Sequence, residues 1–433
     1  MLPIFALVFV DVLGLTLILP LLHLYAAAFG ASAFEIGLVA AAFPLAQLIG
    51  VPAMGALSDR FGRKPLLLIS QITTCISFIM LGMANSLTMV ILSRVLDGLF
   101  GANIATAQAA LSDSTDENNR ARGLGLTGAA FGLGFIFGPI LSILALELGD
   151  SLAIPAFSAA GYSFLSILLT VFVFKETLPP EKRKKAGQAD QTGKTSIARV
   201  VLPIIGMLLL MMFGQQFIFF GFESLMGLFT LTRLGLLGQG NAALFLLIGI
   251  ILVIVQTRYI GKWANRYGEA RMVIVALGLL AGGLLLVATT PEQTHPFYVK
   301  AIVENQLVNQ APTDTEAIIG EMAITLPESN NGLGGVLWFV VALVPLSIGS
   351  GLIRPLLNTL LTKAAGDASF GVVLGFSSAA VSAANAAAPI VMGLIFQQYG
   401  AGMPFLIGSG LMALLVVFAL IFFRTVPAVQ KAA

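Results

Sequence analysis

Three charged residues lie within apolar stretches of the sequence, where an ionised side chain is costly. Asp11 interrupts an apolar run from Leu2 to about Ala27, and Arg94 and Asp97 lie three residues apart in another run. At the centre of a membrane helix such a charge costs roughly 2.5–3.5 kcal/mol, so each one needs a reason. Burial and a nearby cation act in opposite directions on the ionisation of a carboxyl group. Asp11 is therefore a candidate proton carrier, and the alternative is a permanent pairing that holds its helix in place.

Arg94 complements this acid because a guanidinium group does not lose its proton in proteins. We expect it to tune the ionisation of a carboxylate by approaching or leaving it. Asp97 follows three residues later, on the same side of a helix, and is the local candidate partner. A fixed Arg94–Asp97 pair without a transport role is the alternative.

The elements that position these residues are membrane-spanning helices. The chain has 433 residues, of which 58% are hydrophobic and 10% charged, and its mean hydropathy is +0.96. Apolar runs of about 20 residues match the thickness of a bilayer, and they lack the alternation of barrel strands. We predict an all-α membrane protein with twelve helices, at about 3–27, 34–57, 65–84, 87–110, 122–146, 153–174, 201–225, 239–260, 271–289, 336–362, 370–395 and 402–424.

The distribution of Lys and Arg predicts the orientation of these helices. With the N-terminus in the cytoplasm, most of the 23 Lys and Arg lie in inward segments, and only Arg233 and Lys300 lie in outward ones. Cytoplasmic loops carry such an excess of positive charge. Both termini are therefore expected in the cytoplasm.

A repeated charged segment divides the chain into two halves. GALSDRFGRKP at 55–65 has a diluted copy, GKWANRYGEAR, at 261–271. Two six-helix halves of the same orientation form a parallel repeat, which is typical of transporters with a site between the halves. We expect an N-terminal half at 1–174, a basic cytoplasmic linker at 175–200, a C-terminal half at 201–424 and a cytoplasmic tail at 425–433.

One outward loop, at 290–335, is much longer than the others. Its six acidic residues favour a solvated insertion, and a lid or a partner-binding surface is the alternative. A short amphipathic helix is predicted near 313–323.

At this point the sequence resembles the major facilitator superfamily. The resemblance rests on VDVLGLTLILPLL in helix 1, GALSDRFGRKP, LSRVLDGLFGA in helix 4 and GLTGAAFGLGFIFGP in helix 5. It is nearest to the drug/proton antiporters of the tetracycline-resistance type. Ser77 stands where tetracycline exporters carry an acidic residue in helix 3, and predicted helix 9 has none. The resemblance therefore implies the transporter class rather than a tetracycline substrate.

The resemblance implies roles for three groups of residues. Arg94 matches a basic residue that the family associates with proton transfer, so the expected proton-coupling residues are Asp11, Arg94 and Asp97. The residues expected to gate the halves are Asp59, Arg60, Gly62, Arg63, Arg122, Gly138 and Pro139. Since helices 1, 4, 7 and 10 line the cavity in this superfamily, the expected substrate-binding residues are Gln108, Gln215, Gln216, Glu223, Arg354 and Asn358.

Several of these residues also have simpler explanations. Gly138 and its neighbouring glycines serve plain close packing equally well, and Arg60, Arg63 and Lys64 serve as topology anchors. Asp59 is expected to face the positive N-terminal end of helix 11, near Ser369, and so to latch the halves together.

The functional prediction is a proton-coupled exporter of a drug-like or amphipathic small molecule that works by alternating access. Uptake or facilitated diffusion of a small, anionic metabolite is the alternative, and a membrane receptor or scaffold is an alternative of another class. One cysteine and two histidines argue against a Cys- or His-based metal site. No enzyme motif, cofactor or nucleic-acid partner is expected. His23 is expected at a membrane surface rather than as a titrating group. The expected protein is a monomer in a bacterial cytoplasmic membrane.

Overall fold

Twelve helices long and apolar enough to cross a membrane make up the described part of the chain. The computed structural model describes residues 2–113, 117–149, 151–183, 203–309, 324–365 and 370–425. The spans are α1 (Ile4–Ala27), α2 (Ala33–Phe61), α3 (Arg63–Gly82), α4 (Leu87–Leu111), α5 (Gly128–Glu147), α6 (Ala153–Phe172), α7 (Ile204–Leu234), α8 (Gly238–Tyr267), α9 (Glu269–Ala288), α10 (Gly334–Ala364), α11 (Gly375–Tyr399) and α12 (Met403–Arg424). The predicted all-α fold with twelve spans is confirmed.

The charged segment at 55–65 is helical almost throughout, whereas a turn was expected. The helix of α2 continues to Phe61, and α3 begins at Arg63. Gly62 alone separates them, with φ of +107°, a conformation that side chains with a Cβ rarely adopt. Gly268 has φ of +82° between α8 and α9 in the repeated segment. A helix need not end where its residues become polar, because the charged turns extend into the headgroup region.

α7 is also longer than predicted. We expected it to end near residue 225, but its helix runs from Pro203 to Leu234. The extra turns place Glu223 well inside the span rather than near its outer end. At 1.5 Å per residue, Glu223 lies about 16 Å from the end of the helix.

Three spans contain local interruptions, and in α1 the interruption is a 3-10 turn at Leu19–Leu21. The α4 span is broken between Phe100 and Asn103, where the Ser70 hydroxyl donates to the Phe100 carbonyl and accepts from the Ala102 N–H at 3.0 Å. Ser70 thereby satisfies backbone groups that the break leaves without helical partners. We predicted a continuous helix at about 87–110, and this break separates the segment that carries Arg94 from the segment that carries Gln108. In α8, a π-helical turn spans Val255–Tyr259.

Close approaches between α2 and α11 and between α5 and α8 join the two halves of the chain. A Cβ on Gly37 would collide with the backbone carbonyl of Pro389, and a Cβ on Gly249 with that of Phe135. Small residues allow helices to approach in this way in membranes. The two pairs form the main contacts between α1–α6 and α7–α12.

The described hydrogen bonds between the halves lie at the end of the molecule away from Gly62. Here the Asn241 amide donates to the Pro20 carbonyl, Phe34 N–H donates to Gln397 at 3.2 Å, and Gln239 donates to Glu147 at 3.0 Å. We call these contacts, together with the Gly37–Pro389 approach, the distal seal. Toward the Gly62 end α5 and α8 diverge: a Cβ on Gly132 would lie 3.0 Å from Val253, but one on Gly128 would meet no atom within 4 Å.

The two connecting segments are only partly described. In the 290–335 loop, a helix spans Lys300–Asn309, and the Tyr298 hydroxyl donates to the Pro327 carbonyl at 2.7 Å. The amphipathic helix predicted near 313–323 lies outside the described residues, as do most of the 175–200 linker and residues 426–433 of the tail.

Candidate functional site

Asp11 is a residue of α1 in the first half, and its side chain faces α3 and α6. Its carboxylate faces Ser166 and Gln71 and lies in the electrostatic field of Asp97. Both carboxylate oxygens are inaccessible to solvent and make no hydrogen bond of normal geometry with the described residues. The Gln71 amide donates instead to the Ser166 hydroxyl at 2.7 Å. A carboxyl group in this position is poorly solvated when it is ionised.

Arg94 and Asp97 form the pair that the sequence predicts. The Nη1 atom of Arg94 lies 3.5 Å from the Asp97 carboxylate, and both side chains are almost completely buried. Thr74 donates to the other Asp97 oxygen at 2.8 Å. Arg94 also donates to Ser77 at 3.1 Å, and its guanidinium lies 5.4 Å from the centroid of the Phe78 ring. Helix α3 therefore supplies the polar surroundings of both charged groups.

Asp11, Arg94 and Asp97 together form a buried group of three ionisable residues, which we call the first-half cluster. It is enclosed by polar residues of α3 and α6 and belongs entirely to one half. Only Asp11 and Asp97 carry carboxylates and only Arg94 is a permanent cation. With both acids ionised, the cluster would have a net charge of −1.

At the Gly62 end, Arg63 connects two acidic residues of the first half. Its guanidinium group lies 2.7 Å from the Asp59 carboxylate through Nη1 and 2.8 Å from the Asp113 carboxylate through Nε. Arg60 stacks on the adjacent Phe61 ring, with 5.1 Å from guanidinium to ring centroid. The expected latch partner near Ser369 lies outside the described residues, as does the side chain of Arg122.

Glu176, which the sequence analysis did not single out, holds the same turn from the other side. Its carboxylate accepts the backbone N–H groups of Arg63 at 2.9 Å and Lys64 at 3.1 Å. Burial by itself raises the pKa of Glu176, but backbone N–H groups of Leu178, Arg63, Lys64 and Thr177 bring the pKa below its usual value. Two of these donors, Arg63 and Lys64, are N–H groups of the first turn of α3, where N–H groups lack helical partners and a carboxylate is stable.

Gly138 packs within the first half. A Cβ on Gly138 would collide with Thr16 of α1, whose hydroxyl donates to the Gly134 carbonyl at 2.9 Å. Pro139 lies inside a continuous helix. The contact of α5 with the second half is made instead by Gly132 and Phe135.

In the second half, amide side chains connect α7, α10 and α11. Gln216 donates to Asn385 at 2.8 Å, and the Ser377 hydroxyl lies 3.2 Å from Asn358 Oδ1. Gln215 is buried, 2% exposed. These amides are satisfied by each other, so lipid does not meet an unpaired polar group. Asn385 and Ser377 were missed because each is a lone polar residue in an Ala- and Ser-rich run.

Arg354 is exposed although it lies deep within α10. Leu337, Val341 and Val344 form the apolar exposed stripe of this helix, which is the face expected to meet lipid. With 3.6 residues per turn, Arg354 lies about 80–140° around the helix from the three residues of this stripe. Arg354 is thus on a different side of α10 from the stripe.

The described residues thus form twelve spans in two six-helix halves, which touch through α2–α11 and α5–α8. Ionisable residues are buried between the helices. The family model described as "Major Facilitator Superfamily" matches residues 4–303. The chain belongs to the major facilitator superfamily.

Relatives and solved structures agree with this membership. "Tetracycline resistance protein, class B" of Escherichia coli is 32% identical over 63% of this chain and 67% of its own length. "Multidrug resistance protein 2" of Bacillus subtilis is 28% identical over 65% and 70%. The nucleoside transporter NupG (D323A mutant) has the same fold, with a TM-score of 0.72, 12% identity and coverage of 97% and 100%. This superfamily member is a multi-pass membrane transporter and not an enzyme.

Glu223 and His23 are brought together at the distal seal of this transporter. His23, expected at a surface, is 4% exposed, and its ring packs on Gly227, one turn after Glu223 on α7. Glu223 and His23 line a common cavity between the halves. Glu223 lies about 10 Å along α7 from Gln216, at 1.5 Å per residue. Glu223 is thus two helical turns away from Gln216, with which the sequence analysis grouped it as a substrate-binding residue.

Proposed function

We propose that the protein is a proton-coupled exporter of drug-like, amphipathic small molecules that acts as a monomer in a bacterial cytoplasmic membrane. The observation that carries this proposal is the first-half cluster. Arg94, the one permanent cation of this buried cluster, pairs with Asp97, and Asp11 lies in the electrostatic field of Asp97 without a cation of its own in the cluster. An unbalanced charge in such a site is costly, so binding of one proton makes the cluster neutral.

Asp11 is the proton carrier in this mechanism. Asp97 has an ion-pair partner and a Thr74 hydrogen bond, whereas the Asp11 oxygens have neither among the described residues. The proton therefore resides on Asp11. A shift of α1 relative to α3 and α6 exposes Asp11 to water and releases the proton.

Alternating access follows from the arrangement of the halves. The distal seal closes one end, and α5 and α8 diverge toward Gly62. The excess of Lys and Arg in the loops at the Gly62 end supports a cytoplasmic location for this end. This arrangement corresponds to an inward-open transporter, and rocking of the halves opens the other end.

In this proposal the substrate is bound in the second half, by Arg354 and the amides that connect α7, α10 and α11. Phe213 and Phe217 stack on α7, with ring centroids 6.0 Å apart, next to these amides. Aromatic surface with a few polar groups suits an amphipathic ligand. Arg354 also favours a second candidate function, the uptake of an organic anion.

Asp11→Asn in everted membrane vesicles tests the proton-coupled function. A panel of amphipathic cations, anions and neutral compounds is added to respiring vesicles, and proton release is followed with a fluorescent pH probe. We expect the wild-type protein to release protons with at least one class of substrate. Asp11→Asn should abolish this release yet retain substrate binding in detergent, because the amide cannot carry a proton.

Glu328→Gln, which also removes one carboxyl group but at an exposed position, is the matched control and should release protons normally. Wild-type proton release by Asp11→Asn would exclude Asp11 as the carrier. Collapse of the gradient in intact cells separates the two candidate functions. The substrate of an exporter then accumulates inside, whereas the substrate of a symporter fails to enter.

A further inference from the structure

A small cavity lies between the two halves at the distal seal, far from the first-half cluster. Its volume is about 40 Å³, and it is lined by residues of α1, α2, α7 and α8. Most of its walls are apolar, and its polar lining groups are His23, Glu223, Ser224 and Asn241. A cavity of this volume holds a water molecule when two or more polar groups face it.

Two polar atoms of this cavity's lining residues have no partner among the described residues. These are Nε2 of His23, which is 4% exposed, and Oδ1 of Asn241, which is fully buried. The Asn241 amide nitrogen is occupied by the Pro20 carbonyl. Buried polar atoms rarely stay unpaired. A bound water that donates to both atoms would satisfy them, and its oxygen would remain free to accept a hydrogen bond.

A protonated Glu223 carboxyl group is suited to donate that bond. Glu223 is one turn from Gly227, on which the His23 ring lies. When ionised, its carboxylate can only accept hydrogen bonds and would carry an unpaired charge in an apolar, sealed space. Closure of the seal around Glu223 is thus favoured by the neutral form.

The other ionisable groups on these four helices are engaged elsewhere or distant. On α1, Asp11 is twelve residues from His23, about 18 Å along the helix, and the Tyr25 hydroxyl donates to the Leu152 carbonyl. At the start of α2 the Glu35 carboxylate accepts hydrogen bonds from the N–H and the hydroxyl of Ser32, while Asp59 and Arg60 lie at the Gly62 end. On α7, Arg233 pairs with Glu292. The charged residues of α8 lie at the Gly62 end of the helix. Glu223 and His23 are therefore the ionisable groups that face this cavity in the described part of the chain.

We propose that Glu223, with His23, Asn241 and a bound water, forms a second proton site that controls the distal seal. When the halves separate at this end, external water reaches Glu223 and the carboxylate ionises. Binding of one external proton neutralises it and permits the seal to close. This proton is a condition for closure and differs from the one that Asp11 carries. The proposal rests on the proposed proton-coupled function.

Accessibility of the seal at different external pH values tests this site directly. In a Cys75→Ser background, a cysteine at Ala40, which lines the cavity, is labelled with a membrane-impermeant maleimide on intact cells. We correct the rates for the thiolate fraction with an exposed reference cysteine. We expect the corrected rate to rise with pH by up to roughly tenfold per unit, as linkage to one proton allows. Glu223→Gln, which resembles the neutral acid, should give low labelling at every pH.

Two further variants define the role of the site. His23→Phe keeps a ring against Gly227 but removes the acceptor nitrogen, so the midpoint of the labelling curve should move to lower pH. Glu328→Gln alters an exposed carboxylate of the outward loop, outside the distal seal, and should leave the curve unchanged. A full pH response in Glu223→Gln would overturn the proposal even if that variant transports normally. Loss of the pH response in Glu223→Gln supports the second proton site. If this loss is observed but vesicle assays reveal no proton-coupled transport, only the proposed transport function fails.

Discussion

At the scale of single residues, the structure supplies partners for the charged side chains that the sequence places in the membrane. Arg94 and Asp97 are a local pair, but the hydroxyls that stabilise them come from α3. Ser77, which stands where tetracycline exporters carry an acid, donates and accepts in this network rather than adding a charge. The first-half cluster thus retains a single surplus carboxylate, which is the physical basis of the one-proton mechanism that we propose.

Glu176→Gln is predicted to loosen the Gly62 turn in a pH-dependent way. The pKa of Glu176 is lower in the folded protein than in the unfolded chain. Its stabilising contribution is present above the unfolded value, near pH 4.3, and is lost as pH falls through the folded value. Melting in detergent should show Glu176→Gln to be less stable than wild type at pH 7, with the difference shrinking toward pH 3. Glu181→Gln, an exposed neighbour, is the control, and a pH-independent difference would contradict the prediction.

At the scale of helices, small residues determine how closely the two halves approach. The glycines of α2 illustrate this because two of them have opposite surroundings. Gly37 faces the Pro389 carbonyl of α11, whereas a Cβ on Gly55 would meet no atom within 4 Å. The same substitution at the two positions therefore separates the effect of helix packing from the effect of glycine itself.

Gly37→Ala is predicted to open the distal seal. The added methyl group must push α2 from α11, and such overpacking costs roughly 1–3 kcal/mol. Labelling of a cysteine at Ala40 should increase by a factor of about five or more, as expected for 1 kcal/mol or more. Gly55→Ala should leave labelling at the wild-type rate. Equal labelling of the two variants would show that α2 and α11 do not control the seal.

At the scale of the whole molecule, the two ends differ in how their charges are arranged. At the Gly62 end, the described ion pairs, such as Arg63–Asp59 and Lys363–Glu269, stay within one half. At the distal end, Gln239 and Glu147 bridge the halves. The halves can therefore separate at the Gly62 end without breaking these ion pairs. Separation at the distal end breaks the hydrogen bond between Gln239 and Glu147.

Asp59→Asn tests the predicted latch between the halves. If Asp59 faces the N-terminal end of α11 when the Gly62 end closes, its loss should favour the state open at that end. A cysteine at Gly128, which meets no atom within 4 Å in this state, should then be labelled faster from the cytoplasmic side. Asp113→Asn removes the other Arg63 partner and should have no such effect. If both variants increase labelling equally, Asp59 serves only to hold Arg63.

The sequence by itself determined the class of the protein, the twelve spans and the family, because apolar run length and charged motifs are local properties. It also predicted the Arg94–Asp97 pair, whose members are three residues apart. The tertiary structure alone decided that Glu176 holds the Gly62 turn, that Asn385 pairs with Gln216, and that His23 and Glu223 share a cavity. These partners are far apart in the chain. Membrane helices are apolar on nearly every side, so hydrophobic periodicity does not reveal which face meets lipid and which meets another helix.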